Sequence, residues 1–194
     1  MLTNAGVRAI RIFVLALIVS STTTFARVGE TTLQFVARYG PPKDTASSKI
    51  YDKNSPLVEG AIHHNYEYQG WKIRAAFLQL DGPAIRMDYS KLGTNPQIKE
   101  YEVQAIMTGN TPAGMTWKQI PFKNPNNPDK VLNKAVDAYF GDAFGQKMWQ
   151  RSDGAILWLR SNLIIRLELP TAREHEARLK ADKEQKARAS VPQF

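Results

Sequence analysis

The run His63-His-Asn-Tyr-Glu-Tyr68, Gln69-Gly70, Trp71-Lys-Ile-Arg-Ala-Ala-Phe-Leu-Gln-Leu80, Asp81-Gly82, Pro83-Ala-Ile-Arg-Met-Asp-Tyr89 decides the fold. Its side chains alternate with a period of two, and each reversal is a short turn carrying a glycine. That pattern predicts three antiparallel strands in a meander. Alternation places Tyr66 and Tyr68, then Trp71, Ile73, Ala75 and Phe77, then Ile85, Met87 and Tyr89, on one face of the sheet.

A helix is expected on that face. In Gly29-Glu-Thr-Thr-Leu-Gln-Phe-Val-Ala-Arg-Tyr-Gly-Pro-Pro42, Thr31 fits the N-cap with Gln34 three residues later, and Gly40 with Pro41 and Pro42 stops the helix. Leu33, Val36 and Ala37 read as its buried stripe, flanked by Phe35 and Tyr39. A polar, serine-rich loop, residues 43–59, follows.

The pattern recurs. Glu30, Leu33, Val36, Gly40 and Pro42 match Glu100, Val103, Ile106, Asn110 and Pro112 at one constant offset, which predicts a second helix within 95–108, entered at Asn95-Pro96 and left at Gly109-Asn110. Lys147 to Ser152, the Asp153-Gly154 turn, Ala155 to Arg160, the Ser161-Asn162 turn and Leu163 to Leu169 make a second meander. Ile85-Arg-Met-Asp88 and Ile165-Arg-Leu-Glu168 are its matching last strands. Between helix and meander lies an insertion, 116–145, loop in its proline- and asparagine-rich first half and helical at Val131 to Phe140. The expected architecture is α+β: two tandem α-β-β-β units, 27–92 and 93–170, antiparallel with helices on one face, then a charged solvated helix or tail over 171–194.

The first residues carry an address. Arg8 and Arg11 precede the apolar run Ile12-Phe-Val-Leu-Ala-Leu-Ile-Val19, and Thr24 and Ala26 stand at the positions of a small-residue cleavage site. This is the pattern of a secretory signal over 1–26, cut after Ala26, and the run is shorter than the roughly 20 residues that span a bilayer. The expectation is an exported protein, periplasmic or secreted. Loss of Arg8 and Arg11 lowers the formal net charge from +8 to about +6. In an exported chain that excess favours lipopolysaccharide, lipid headgroups or an acidic partner over nucleic acid. There is no cysteine, which excludes a disulfide framework, a thiolate nucleophile and a lipidated N-terminal cysteine.

The spacing Gly29, Thr31, Phe35, Gly40, Pro42 resembles the opening of the SmpA/OmlA family of outer-membrane assembly lipoproteins, and the doubled helix-plus-meander is similar to β-lactamase inhibitor protein. The resemblance implies a binding or scaffolding role without catalysis. This chain lacks the lipid-attachment cysteine of the first and the cysteine pairs of the second.

Catalytic and ligand motifs are weak. His63 and His64 are strand neighbours that point to opposite faces, His175 sits between Glu174 and Glu176, and no metal-ligand spacing is present. There is no Gly-x-Ser-x-Gly, Ser-x-x-Lys or phosphate-binding glycine loop. Asp88 with Glu67, and Glu168 with Asp153, are conceivable acid–base pairs, but such carboxylates more often pair with neighbouring arginines. Tyr66, Tyr68, Trp71, Trp117, Trp149 and Trp158 read either as core or as an exposed platform. Arg74, Arg86, Arg160 and Arg166 share the other face and are the candidate partner-binding residues. The reading is a non-enzymatic binding or assembly module, without cofactor or metal, that meets another envelope protein through its sheet surface. The alternatives are binding of an anionic polymer, peptidoglycan or lipopolysaccharide, and a small periplasmic hydrolase.

Overall fold

The alternating run is realised as a hairpin closed by two residues of positive φ, Gln69 at 47° and Gly70 at 81°. Two such residues match the right-handed twist of paired strands, which is why so short a connection suffices. The structure is a computed structural model and describes residues 27–47, 57–94, 96–121, 147–160 and 162–190. The expected signal segment, the helix expected at 131–140, Asn95 and Ser161 lie outside the described residues.

In chain order the elements are α1 (Thr32–Tyr39), β1 (Asp44–Ser47), β2 (Ile62–Tyr68), β3 (Trp71–Phe77), β4 (Ala84–Lys91), α2 (Glu100–Gly109), β5 (Trp117–Ile120), β6 (Lys147–Arg151), β7 (Ile156–Arg160), β8 (Ile164–Glu168) and α3 (Pro170–Ala189). The protein is α+β. The described strands all join one 8-stranded antiparallel sheet, ordered β1-β2-β3-β4-β8-β7-β6-β5. The two meanders meet where β4 pairs β8, from Arg86 opposite Glu168 to Ser90 opposite Ile164.

Two stretches expected as loop contain strands. Residues 44–47 pair with β2 and residues 117–120 with β6, so each described helix-and-meander set has four strands, not three. Among the described residues both are short edge strands, each paired on one side. Trp-Lys-Gln-Ile buries no regular face, and Asp44 and Thr45 are both exposed, so no burial period marks these stretches.

The helices also differ from expectation. At α1, Gln34 Oε1 accepts from the Thr31 backbone N–H at 2.8 Å, the expected cap. The buried residues, however, are Thr32, Phe35 and Tyr39. Leu33 is 73% exposed and Val36 39%. Phe35 meets Tyr66 and Phe77 with ring centroids 5.5 Å away in each case, and Tyr39 meets Tyr66 at 5.7 Å. Two aromatic rings remove more apolar surface from water than Leu33 and Val36 together, and they set the helix's rotation. α2 starts at Glu100, later than the expected Asn95-Pro96 entrance, because Glu102 reaches back to the Lys99 N–H at 2.7 Å and caps the helix there. It buries Val103, Ile106 and Met107.

One large core cluster holds Phe35 and Tyr39 of α1 and Val103 and Ile106 of α2 against Ile73, Met87 and Leu167 of the sheet. A second, smaller cluster contains Val58, Ala61, Ala76, Ile85 and Ala172 of α3. Ala75 and Ala76 are strand neighbours in different clusters, so the clusters lie on opposite faces. Ile85 was expected with Met87 and Tyr89. Instead Ala76 opposes Arg86 and Phe77 opposes Ala84, which leaves Ile85 as an extra residue in β4. That bulge turns Ile85 to the α3 face.

Asn110 ends α2 fully buried. Its Oδ1 accepts from the Val28 N–H at 2.9 Å, and its Nδ2 donates to Ile106 O at 2.9 Å and Tyr89 Oη at 3.2 Å. Its backbone carbonyl accepts from Arg151 Nη1. Asn110→Ala strips these side-chain partners inside the core, and each buried group left unmatched costs about 1–3 kcal/mol. Urea denaturation is expected to show a loss of about 2–3 kcal/mol, and a loss near zero would show that the N-terminal segment is held by other means.

Candidate functional site: the charged face of the sheet

Strand alternation sends Asn65, Arg74, Asp88, Arg166 and Trp158 to the face opposite α1 and α2, and pairing aligns them. Asp44 opposes Asn65, Asn65 opposes Arg74, Arg74 opposes Asp88, Asp88 opposes Arg166 and Arg166 opposes Trp158. The result is a polar row across the sheet. Asn65 Nδ2 donates to Asp44 Oδ1, and Arg74 Nε donates to Asn65 Oδ1 at 3.0 Å. Arg166 grips both oxygens of Asp88, Nε to Oδ1 at 2.7 Å and Nη2 to Oδ2 at 3.2 Å. Burial works against the Arg166 charge, but the Asp88 carboxylate outweighs it and holds the guanidinium pKa above its ordinary value.

The next row along carries Arg86. It lies opposite Glu168 and reaches Glu168 Oε2 at 2.6 Å and Glu176 Oε1 of α3 at 2.8 Å, with 6% of its side chain exposed. Ala172 is fully buried, and Arg173 Nη2 donates to the Gly154 carbonyl at 2.7 Å. The start of α3 is thus fastened to this face by packing and charge, while residues 180–190 are exposed.

Of the candidate partner-binding residues, Arg86 and Arg166 are therefore brought together in an internal ion-pair layer. Arg74 joins its row through Asn65, and Arg160 lies 5.9 Å from the Trp158 ring centroid. The acid–base pairings do not form. Asp88 belongs to Arg166, Glu168 to Arg86, and Asp153 to Arg151 at 2.7 Å, which lowers the Asp153 pKa. The aromatic platform is likewise absent as a unit. Tyr66, Trp149 and Trp158 are buried, Trp71 and Trp117 pack against the core, and Tyr68 meets Tyr39 edge to face with centroids 5.1 Å apart.

His63 and His64 do point apart. His63 Nε2 lies 3.2 Å from the Val58 carbonyl on the charged face, whereas His64 Nδ1 lies 3.3 Å from Tyr66 Oη on the other. Burial lowers both pKa values. At His63 the charges of Arg74 and Arg86 add to the effect, against the Val58 carbonyl and Asp88. The folded state therefore prefers neutral rings. Stability is full above the unfolded histidine pKa of about 6.5 and declines as pH falls below it toward the folded values. His63→Gln is expected to flatten that decline in a series of denaturation curves from pH 7.5 to 4.5, and an unchanged slope would show that His63 charges freely in the fold. His175 Nε2 bonds the Glu59 carbonyl at 2.8 Å. Among the described residues, no group of three or more His, Asp or Glu side chains is placed to hold a metal ion, and no helix is long and apolar enough to cross a membrane.

The surface that sequence reasoning missed is on α1. Leu33 and Val36 stand one turn apart on its outward side. The Leu80 carbonyl accepts from Thr32 Oγ1 at 2.8 Å, which sets Leu80, 60% exposed, beside the first turn. The signal was present in the sequence, since α1 has two apolar arcs and only one can face the sheet. No family model, curated protein or solved structure matches the chain.

Proposed function

We propose that the protein is an exported, non-enzymatic binding or assembly module that contacts another protein of the cell envelope. The observation that carries this reading is the outward apolar side of α1, where Leu33, Val36 and Leu80 remain exposed. Arg86 and Arg166 are committed to Glu168, Glu176 and Asp88, which favours α1 over the arginine face as the contact surface.

The tandem reading of the fold draws support from the strand order, in which each meander keeps its own sequence and the two join through β4 and β8. Burial aligns Thr32, Phe35 and Tyr39 with Val103, Ile106 and Asn110, one residue beyond the offset that sequence matching suggests. The likeness to SmpA/OmlA proteins rests on Gly29, Thr31, Phe35, Gly40 and Pro42, that to β-lactamase inhibitor protein rests on the doubled helix-plus-meander, and both support a scaffolding role by analogy.

A photo-cross-linking residue at position 33 of the exported protein is expected to capture one stoichiometric envelope protein. Leu33→Glu should abolish co-purification of that protein without shifting the melting temperature. The polymer reading has its own support in the exposed end of α3, where Arg178, Lys180, Lys183, Lys186 and Arg188 outnumber Asp182 and Glu184. Retention on lipopolysaccharide or peptidoglycan that fades with salt and ignores Leu33→Glu would favour it.

A further inference from the structure

The chain segment that follows the expected cleavage point is fixed residue by residue. Arg27 Nε donates to the Gly109 carbonyl at 3.0 Å, at the C-terminal end of α2 where a cation is favoured. Val28 is 7% exposed and its N–H bonds Asn110 Oδ1. The Gly29 N–H donates to the Ala84 carbonyl, and the Ala84 N–H donates back to the Glu30 carbonyl, each at 2.8 Å. These contacts leave the backbone nitrogen of Arg27 at a defined point, 3.2 Å from Glu30 Oε2. The other oxygen of that carboxylate, Oε1, is 2.6 Å from Arg38 Nη2, and the Glu30 side chain is only 14% exposed.

We infer that removal of residues 1–26 converts this contact into an ion pair, so that Glu30 is a built receptor for the protein's own new amino terminus. The inference rests on the reading of residues 1–26 as a cleaved signal. In the step, water adds across the Ala26–Arg27 peptide bond under a signal-peptidase-class protease. The hydroxyl goes to the Ala26 carbonyl carbon, the proton goes to the Arg27 nitrogen, and the amine takes a further proton from solvent. A neutral amide N–H becomes an ammonium group at the same place, and Glu30 then sits between two cations with one oxygen toward each. Arg38 and the Arg27 guanidinium oppose the new charge. Glu30 is the closer partner, and the Arg27 guanidinium is drawn away to the Gly109 carbonyl. The α-ammonium is therefore held in its charged form. Because its folded pKa rises above the unfolded value, the stability it contributes is present below about pH 7.7 and is lost as pH climbs through the raised value.

The test uses the full exported chain, wild type and Glu30→Gln, with intact mass for the terminus and pH-dependent acylation of the α-amine for its pKa. Expected are a mass beginning at Arg27 and an α-amine pKa about half a unit or more above the ordinary 7.7–8.0, which returns to that range in Glu30→Gln. A chain that begins at Arg27 but has an ordinary α-amine pKa, or a raised one that Glu30→Gln leaves in place, overturns the pairing and leaves the export reading standing. A chain that begins at Met1 overturns the cleavage reading and the pairing with it, and a chain cut at any other position overturns the pairing alone.

Discussion

Phe35→Ala is expected to remove about 3–5 kcal/mol of folding stability, while Leu33→Ala changes it by less than about 0.5 kcal/mol. The two residues lie within one turn of α1, and either could be taken for core by its chemistry. Phe35 is fully buried and its ring faces Tyr39, Tyr66 and Phe77, so truncation leaves a cavity that three aromatic rings cannot collapse into without losing their own packing. Leu33 is 73% exposed, so its truncation removes little buried surface. Urea titrations of both variants decide the matter. Equal losses, or a larger one at Leu33, would mean that α1 is rotated the other way, and the outward contact surface assigned to it would go too.

The second large effect belongs to Arg86→Met, with an expected loss of about 3–5 kcal/mol. The methionine fills much of the volume but leaves Glu168, 13% exposed, with the more distant Arg173 at 3.7 Å, and it cuts the tie from the sheet to Glu176. Glu176→Gln removes only the half-exposed partner, whose side chain is 42% exposed, and should cost less than about 1 kcal/mol. If the two variants lose equal stability, Glu168 is not the group that Arg86 compensates. Limited proteolysis supplies a second reading, since cleavage within α3 should accelerate in Arg86→Met before global unfolding does.

These two sites show what was legible and what was not. The sequence run Ile85-Arg-Met-Asp88 announces a strand, and alternation correctly sends Arg86 and Asp88 away from Met87. It does not reveal that Glu168 and Arg166, some 80 positions later, stand opposite them, because that depends on which strands meet. An arginine read as an exposed contact is therefore an internal counter-ion. At α1 the cap at Thr31 and Gln34 and the stop at Gly40 follow from local hydrogen bonding and a φ of 79°. The rotation of the helix does not, since Leu33, Val36 and Ala37 make one apolar arc and Phe35 and Tyr39 another.

By itself the sequence determined the features whose causes lie within a few residues of each other. Among these are the Gln69-Gly70 turn, the strand period of two, the helix stop at Gly40 and, through the absence of cysteine, a fold without disulfides. Tertiary structure alone decided the β4–β8 seam, the bulge that turns Ile85 over, the edge strands β1 and β5, and the outward placement of Leu33. The reason is physical. Turns and caps are settled by backbone dihedrals and adjacent hydrogen bonds, whereas a buried face is settled by competition among distant surfaces for removal from water. In this chain Tyr66 and Phe77 won Phe35, and Leu33 was left outside.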